Sequence, residues 1–180
     1  TGISRSIGQK KRIFLFGEQG SGKKYQVAAF CQTFGREILL VRGNALPDTL
    51  CELSRLVQRL KRETVLRGNA ILCIKVDRFL TVGFDCVREA AWISEHLLQE
   101  LGEWEEPVFF TSVFKNPTKQ HDNRSQTIYM EIPKTTTEER LILWKHVLRE
   151  EQIPDAFDLL FLSDKYQLTP GAIVISAEEY

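Results

Sequence analysis

The sequence predicts an α/β domain, doubly wound around five parallel strands with helices on both faces, followed by a small helical appendage. Three observations carry this expectation. Short β-type runs alternate with longer amphipathic segments, a glycine-rich loop joins the first run to the first such segment, and no β-type run follows Pro133.

The first run is RIFLF at 12–16, followed by the loop and then SGKKYQVAAFCQTF, which puts Val27, Phe30, Cys31 and Phe34 on one face at helical spacing. Gly35 closes that helix. The second run, REILLV at 36–41, leads to DTLCELSRLVQRLKRE, with Leu50, Leu53, Leu56, Val57 and Leu60 inward and Asp48 as the cap. The charged stretch LKRETVLR at 60–67 is its solvated end. AILCIKV at 70–76 is apolar at almost every position, as a central strand buried on both faces requires. A third amphipathic helix at 84–102 ends at Gly102, and the runs PVFFTS at 107–112 and TIYMEI at 127–132 flank a polar loop at 113–126.

After Pro133 the periodicity becomes helical throughout. TTTEERLILWKHVLREEQI opens on a threonine-x-x-glutamate capping signal and turns Leu141, Trp144, Val147 and Leu148 inward. DAFDLLFLSDKYQ and TPGAIVISAEEY are two further helices, the last with Thr169 as cap and Pro170 at its first position. The expected organisation is therefore an α/β core over 1–132 and a helical subdomain over 133–180. The final helix is barely begun, so the sequence is expected to be a fragment of a longer protein.

Composition narrows the function classes. With 43% apolar and 27% charged residues in 180, the chain can bury one sizeable core. Its 24 basic residues equal its 24 acidic ones, so no general field favours nucleic acid, which is not expected as a partner. Cys31, Cys51, Cys73 and Cys86 show no metal-type spacing, and neither do His96, His121 and His146; reduced thiols in a cytoplasmic protein without a metal centre are expected. No apolar run is long enough to span a membrane, and the basic start is followed by too few apolar residues for a signal peptide.

The chemistry concentrates in GEQGSGKK, where Gly17, Gly22 and Lys23 fit the phosphate-loop pattern G-x-x-x-x-G-K-[ST], with Gly20 between them. Glycines let successive backbone N–H groups face phosphate oxygens, the following helix adds its N-terminal partial charge, and the lysine reaches the terminal phosphates. The pattern then calls for a hydroxyl to ligate Mg²⁺, and the sequence offers Lys24. An ammonium only donates, and it repels a cation. Two readings stay open: Lys23 and Lys24 hold a phosphate without metal, or the loop persists for its strand-turn-helix geometry alone.

A phosphate-loop enzyme also needs an acid at the end of a buried strand, with a glutamate beside it to activate water. Asp77 stands at that strand end, either as a metal-associated acid or as a plain polar terminus. Arg78 occupies the glutamate's place and cannot act as a base. Thr111 and Ser112 end the fourth run, where a hydroxyl can sense a γ-phosphate or simply close a strand. Arg124 either reaches a neighbouring subunit's nucleotide or is a solvated surface residue. Arg140 is expected to pack its stem and pair with an acid. Trp92, Trp104 and Trp144 are packing residues.

The order of phosphate loop, Asp77 strand, polar-ended strand, IPKTTTEERLILW and helical appendage resembles an AAA+ ATPase module over about residues 10–180. IPKTTTEERLILWKHVL with YQLTPGAI is similar to the AAA+ proteins of bacterial phage-tail-like contractile injection systems. The resemblance implies a five-stranded sheet with the phosphate-loop strand central, a helical lid, and rings in which neighbouring subunits complete each site. It places Gly17, Gly22 and Lys23 in the phosphate loop and Asp77 as the metal-associated acid. Lys24, Arg78 and Val174 depart from it, Val174 standing where a lid arginine is expected. All three departures concern metal, water and γ-phosphate.

The leading expectation is a degenerate AAA+ module, weak or silent in hydrolysis, that binds ATP or ADP if any ligand, without a dependable Mg²⁺ site. It serves as scaffold or regulatory element beside other AAA+ modules in the same chain or ring. The alternatives are an active NTPase or small-molecule kinase with an unusual metal shell completed by neighbouring subunits, and a DNA-linked regulatory NTPase.

Overall fold

In the computed structural model the described residues are 12–43, 46–47, 49–77, 97, 100–101, 104, 106–114, 127–148 and 158–178. Asp48, Arg78, Cys86, Trp92, His96, His121, Arg124 and most of the expected helix at 84–102 and loop at 113–126 lie outside them.

Five strands, β1 (Arg12–Phe16), β2 (Ile38–Val41), β3 (Ile71–Lys75), β4 (Val108–Ser112) and β5 (Thr127–Glu131), form one sheet in the order β2-β3-β4-β1-β5. Every pairing is parallel. Each strand falls within or on the run expected for it. β3 is interior, between β2 and β4, though β4 holds the middle of the sheet. Burial follows position: all five residues of β4 and four of β3 are buried, while the edge strands β2 and β5 are half-exposed.

Alternation along the strands sends side chains to two opposite faces. On one face Phe109 meets Phe30 of helix α1 (Lys23–Thr33), ring centroids 5.2 Å apart. On the other, Phe14, Phe16, Leu72, Ile74 and Phe110 pack with Leu53, Val57 and Leu60 of helix α2 (Leu50–Leu66), together with Leu97, Leu101 and Trp104. Within the span of the expected third helix, Leu101 N–H donates to the Leu97 carbonyl at 3.0 Å.

α1 ends at Gly35 as expected. Gly35 has φ of 62°, and the amides of Gly35 and Arg36 donate to the carbonyls of Gln32 and Cys31, a Schellman closure. Phe34 lies 47% exposed against Phe30, so only Val27 and Cys31 of the expected face are buried. The residue capping α2 is Thr49, one position after the expected Asp48, because the first helical residue is Leu50; Thr49 Oγ1 bonds Glu52 at 3.0 Å and caps no amide.

The described residues divide into two compact units. One holds those up to Phe16 and from Lys24 to Glu131; the other holds Gly17–Lys23 and those from Ile132 onward. The second contains helices α3 (Thr137–Val147), α4 (Leu159–Lys165) and α5 (Pro170–Glu178) around Trp144, Leu148, Leu159 and Ile173. The capping box is present in full: Thr136 Oγ1 accepts from Glu139 N–H at 3.2 Å, and Glu139 accepts from Thr136 N–H at 2.8 Å. Asp158 caps α4 through two amides, and Thr169 and Pro170 start α5 in the expected places.

Among the described residues Cys31, Cys51 and Cys73 are free thiols, the first and last buried and Cys51 exposed. No described helix is long and apolar enough to cross a membrane.

Candidate functional site

The glycine-rich loop leaves β1 at Gly17 and enters α1 at Lys23. Its glycines 17, 20 and 22 all have positive φ, at 153°, 80° and 85°. Gly20 shows why a side chain is excluded. A Cβ there would stand 2.5 Å from Thr169 Oγ1, in a conformation L-residues rarely adopt.

Lys23 turns its ammonium back onto the loop. It donates to the carbonyls of Gly17 at 2.8 Å and Glu18 at 2.7 Å and to Ser21 Oγ at 3.2 Å. Three donors meet three acceptors within a seven-residue loop, which fixes its curvature. The loop also belongs to the helical unit through other contacts. Gly171 N–H donates to the Gly20 carbonyl at 2.9 Å, and the Lys134 ammonium lies 2.7 Å from Glu18 Oε1. A Cβ on Gly17 would stand 2.7 Å from the Ile132 carbonyl.

A cavity of about 30 Å³ opens here, lined by Glu18 and Ser21, by residues 132–135, by Arg140 and by residues 167–170. Arg140 is buried, 5% exposed, and its guanidinium reaches three acceptors: the Ser163 carbonyl at 2.8 Å, Thr137 Oγ1 at 3.1 Å and the Thr135 carbonyl. The expected acidic partner is not there among the described residues. Carbonyls take its place, one of them in the last turn of α4, where the helix dipole favours a cation. Arg140 thus ties the start of α3 to the end of α4.

The remaining candidates, Lys24, Asp77, Thr111 and Ser112, belong to the sheet unit. Lys24 is exposed in the first turn of α1. The Asp77 carboxylate accepts from Val113 N–H at 2.6 Å and pairs with Lys75 at 3.2 Å, joining the ends of β3 and β4. Thr111 and Ser112 are 3% and 0% exposed, and Ser112 Oγ accepts from Phe114 N–H at 2.9 Å. Among the described residues no group of three or more His, Cys, Asp and Glu is placed to hold a metal.

The Asp77 contacts predict a structural phenotype. Asp77→Ala strands the Val113 amide and should lower stability by about 1.5–3 kcal/mol, as loss of a charge-assisted bond does, while Asp77→Asn keeps an acceptor and loses less. Urea unfolding of the two variants measures the difference.

Glu18, Lys134, Thr135 and Gly171 were not among the site residues expected from sequence. One signal was legible. Glycine at the second position of α5 costs about 1 kcal/mol relative to alanine, and such a residue marks a close backbone approach.

No family model matches the chain, and among curated proteins no relative matches it. The parallel sheet in the order β2-β3-β4-β1-β5, with C-terminal helices packed together, is a phosphate-loop-like α/β topology.

Proposed function

We propose that this chain is a degenerate AAA+ module, weak or silent in hydrolysis, acting as a scaffold or ligand-responsive element beside competent AAA+ modules in the same chain or ring. One observation carries the reading. A glycine loop with left-handed turns runs from a buried parallel strand into a helix at Lys23, and the next residue in that helix's first turn is an ammonium, Lys24, where a metal-binding hydroxyl is needed.

The surroundings support it. Asp77 spends its carboxylate on Val113 N–H and Lys75, and Arg78 follows it in sequence where a base would act. Removing a metal ligand or a base alone lowers turnover by orders of magnitude. The backbone cradle, by contrast, depends on glycines that are all present. ATP or ADP is the expected ligand class, bound without reliance on Mg²⁺.

Calorimetric titration with ATP and ADP, with and without Mg²⁺, beside a steady-state hydrolysis assay, tests the proposal. The expected result is no turnover that depends on Lys23. Robust hydrolysis by the chain, abolished by Lys23→Ala, would sink it.

A further inference from the structure

We propose that residues 168–171 are an autoinhibitory latch on the glycine-rich loop, holding it in a closed form that a polyphosphate ester must displace in order to bind. This rests on the reading above that the loop keeps a phosphate-accepting backbone.

The latch is made mainly of backbone. The first amides of a helix have no partner within it. In α5, Ala172 N–H is taken by Thr169 Oγ1 and Ile173 N–H by the Thr169 carbonyl, but Gly171 N–H donates to the Gly20 carbonyl. The helix thus uses the loop as part of its own cap. Packing at this point is tight in both directions. A Cβ on Gly171 would stand 3.1 Å from Gly20 Cα and 3.3 Å from Gly20 O, and one on Gly20 would strike Thr169. The two glycines face each other: a side chain on Gly171 presses on the Gly20 backbone, and one on Gly20 requires Thr169 to move.

Further contacts hold the segment in place. Thr135 Oγ1 donates to the Leu168 carbonyl at 3.4 Å, and Lys134 pairs with Glu18. The ion pair is exposed and adds little by itself. On the loop side, Lys23 is occupied by the Gly17 and Glu18 carbonyls and Ser21, so a phosphate has to compete for its ammonium. The cavity between loop and latch measures about 30 Å³. A site for a small organic ligand is ten times larger or more, about 300 Å³ upward. The loop side of that cavity is Glu18 and Ser21, and it admits no nucleotide or other polyphosphate ester while residues 168–171 stay in place; in the proposed latch, binding displaces them and frees the first turn of α5.

Two uncharged substitutions outside the loop test this. Gly171→Val pushes the latch off Gly20, and Thr135→Val removes its tether at Leu168, without changing the charge that a phosphate meets. With ATP in EDTA as the probe, and tripolyphosphate as a second one lacking base and sugar, Gly171→Val should bind about tenfold more tightly than the unmodified chain, or 1.4 kcal/mol. Thr135→Val should bind about two- to threefold more tightly, by the loss of one long hydrogen bond. Hydrogen exchange supplies a direct readout: saturating ATP should deprotect the Gly171 amide of the unmodified chain and leave Leu72 in β3 protected.

Equal affinities across the three proteins, with Gly171 still protected when ATP is bound, would overturn the latch and leave the phosphate site standing. Binding by none of them would overturn both. Lys23-dependent hydrolysis by Gly171→Val would overturn the silent-module reading and leave the latch intact. If Gly171→Val does not fold, as circular dichroism reports, Thr135→Val and the exchange measurement decide the matter.

Discussion

Raising the pH from 9 to 12 should cost the sheet unit on the order of 4 kcal/mol through a single thiol, and Cys73→Val should remove that share of the loss. Cys73 is 2% exposed in the interior strand β3. Burial, reinforced by the neighbouring Cys31, pushes its pKa up from 9.0 to about 12, against the smaller opposing effects of Lys24 and the bond to Thr111. Because the folded-state pKa is the higher one, the stabilisation is fully present below pH 9 and disappears as the pH climbs to about 12. Three pH units at 1.36 kcal/mol each give the figure, and about half of it is lost by pH 10.5. Burial raises Cys31 as well, and its contribution has the same sign and persists in Cys73→Val. Urea unfolding at pH 7, 9 and 10.5 measures the slopes. Lysines and tyrosines titrate in both proteins, so the difference between slopes isolates Cys73. Parallel slopes would contradict the prediction.

Arg140→Ala should destabilise the helical unit by about 2–4 kcal/mol. The substitution leaves the buried Ser163 carbonyl and the part-buried Thr135 carbonyl and Thr137 hydroxyl without their donor; an unpartnered buried group costs about 1–3 kcal/mol and a part-buried one less, because water reaches it, and removal of a desolvated charge lowers the total. Arg140→Lys should recover only part of the loss. An ammonium on a flexible stem cannot span the Thr135 carbonyl, the Ser163 carbonyl and Thr137 Oγ1 as the planar guanidinium does. Trp144, 5% exposed in the same cluster, reports unfolding by its fluorescence in a background carrying Trp92→Phe and Trp104→Phe. An Arg140→Ala curve that overlays the parent would show the guanidinium to be dispensable.

The strands were legible because each apolar run is short and bounded by turn residues, and Gly35 and the Thr136–Glu139 box announced helix ends through local chemistry that needs no tertiary partner. Phe34 was misjudged for the opposite reason: its spacing fits the inward face, but it lies past the last helical turn and remains exposed. Sequence also could not supply the partners of Arg140. An acid can be looked for in a sequence, whereas a carbonyl acceptor belongs to every residue and is chosen by geometry alone. Asp77 was half legible, since Lys75 two residues before it points to the same side of a strand, but the Val113 amide arrives from β4 across the sheet. For Thr111 and Ser112 the position at a strand end could be read, but their burial and the turn bond from Phe114 N–H to Ser112 Oγ could not. The membership of Gly17–Lys23 in the helical unit was hidden because the partners of that loop lie at the far end of the chain.

That membership has a consequence for biosynthesis. Residues 17–23 leave the ribosome among the first of the described chain, and residues 168–171 among the last. The helical unit is therefore discontinuous in time as well as in sequence. During translation the loop's glycines wait without their partners, and closing such a long separation is the slow, entropically costly kind of folding step. The contacts of Gly20 with Thr169 and Gly171 form only once α5 has been made, after the bonds of Lys23 within the loop. A nascent chain stalled before Leu168 would already hold every strand of the sheet, but none of the contacts that Thr169 and Gly171 make with Gly20.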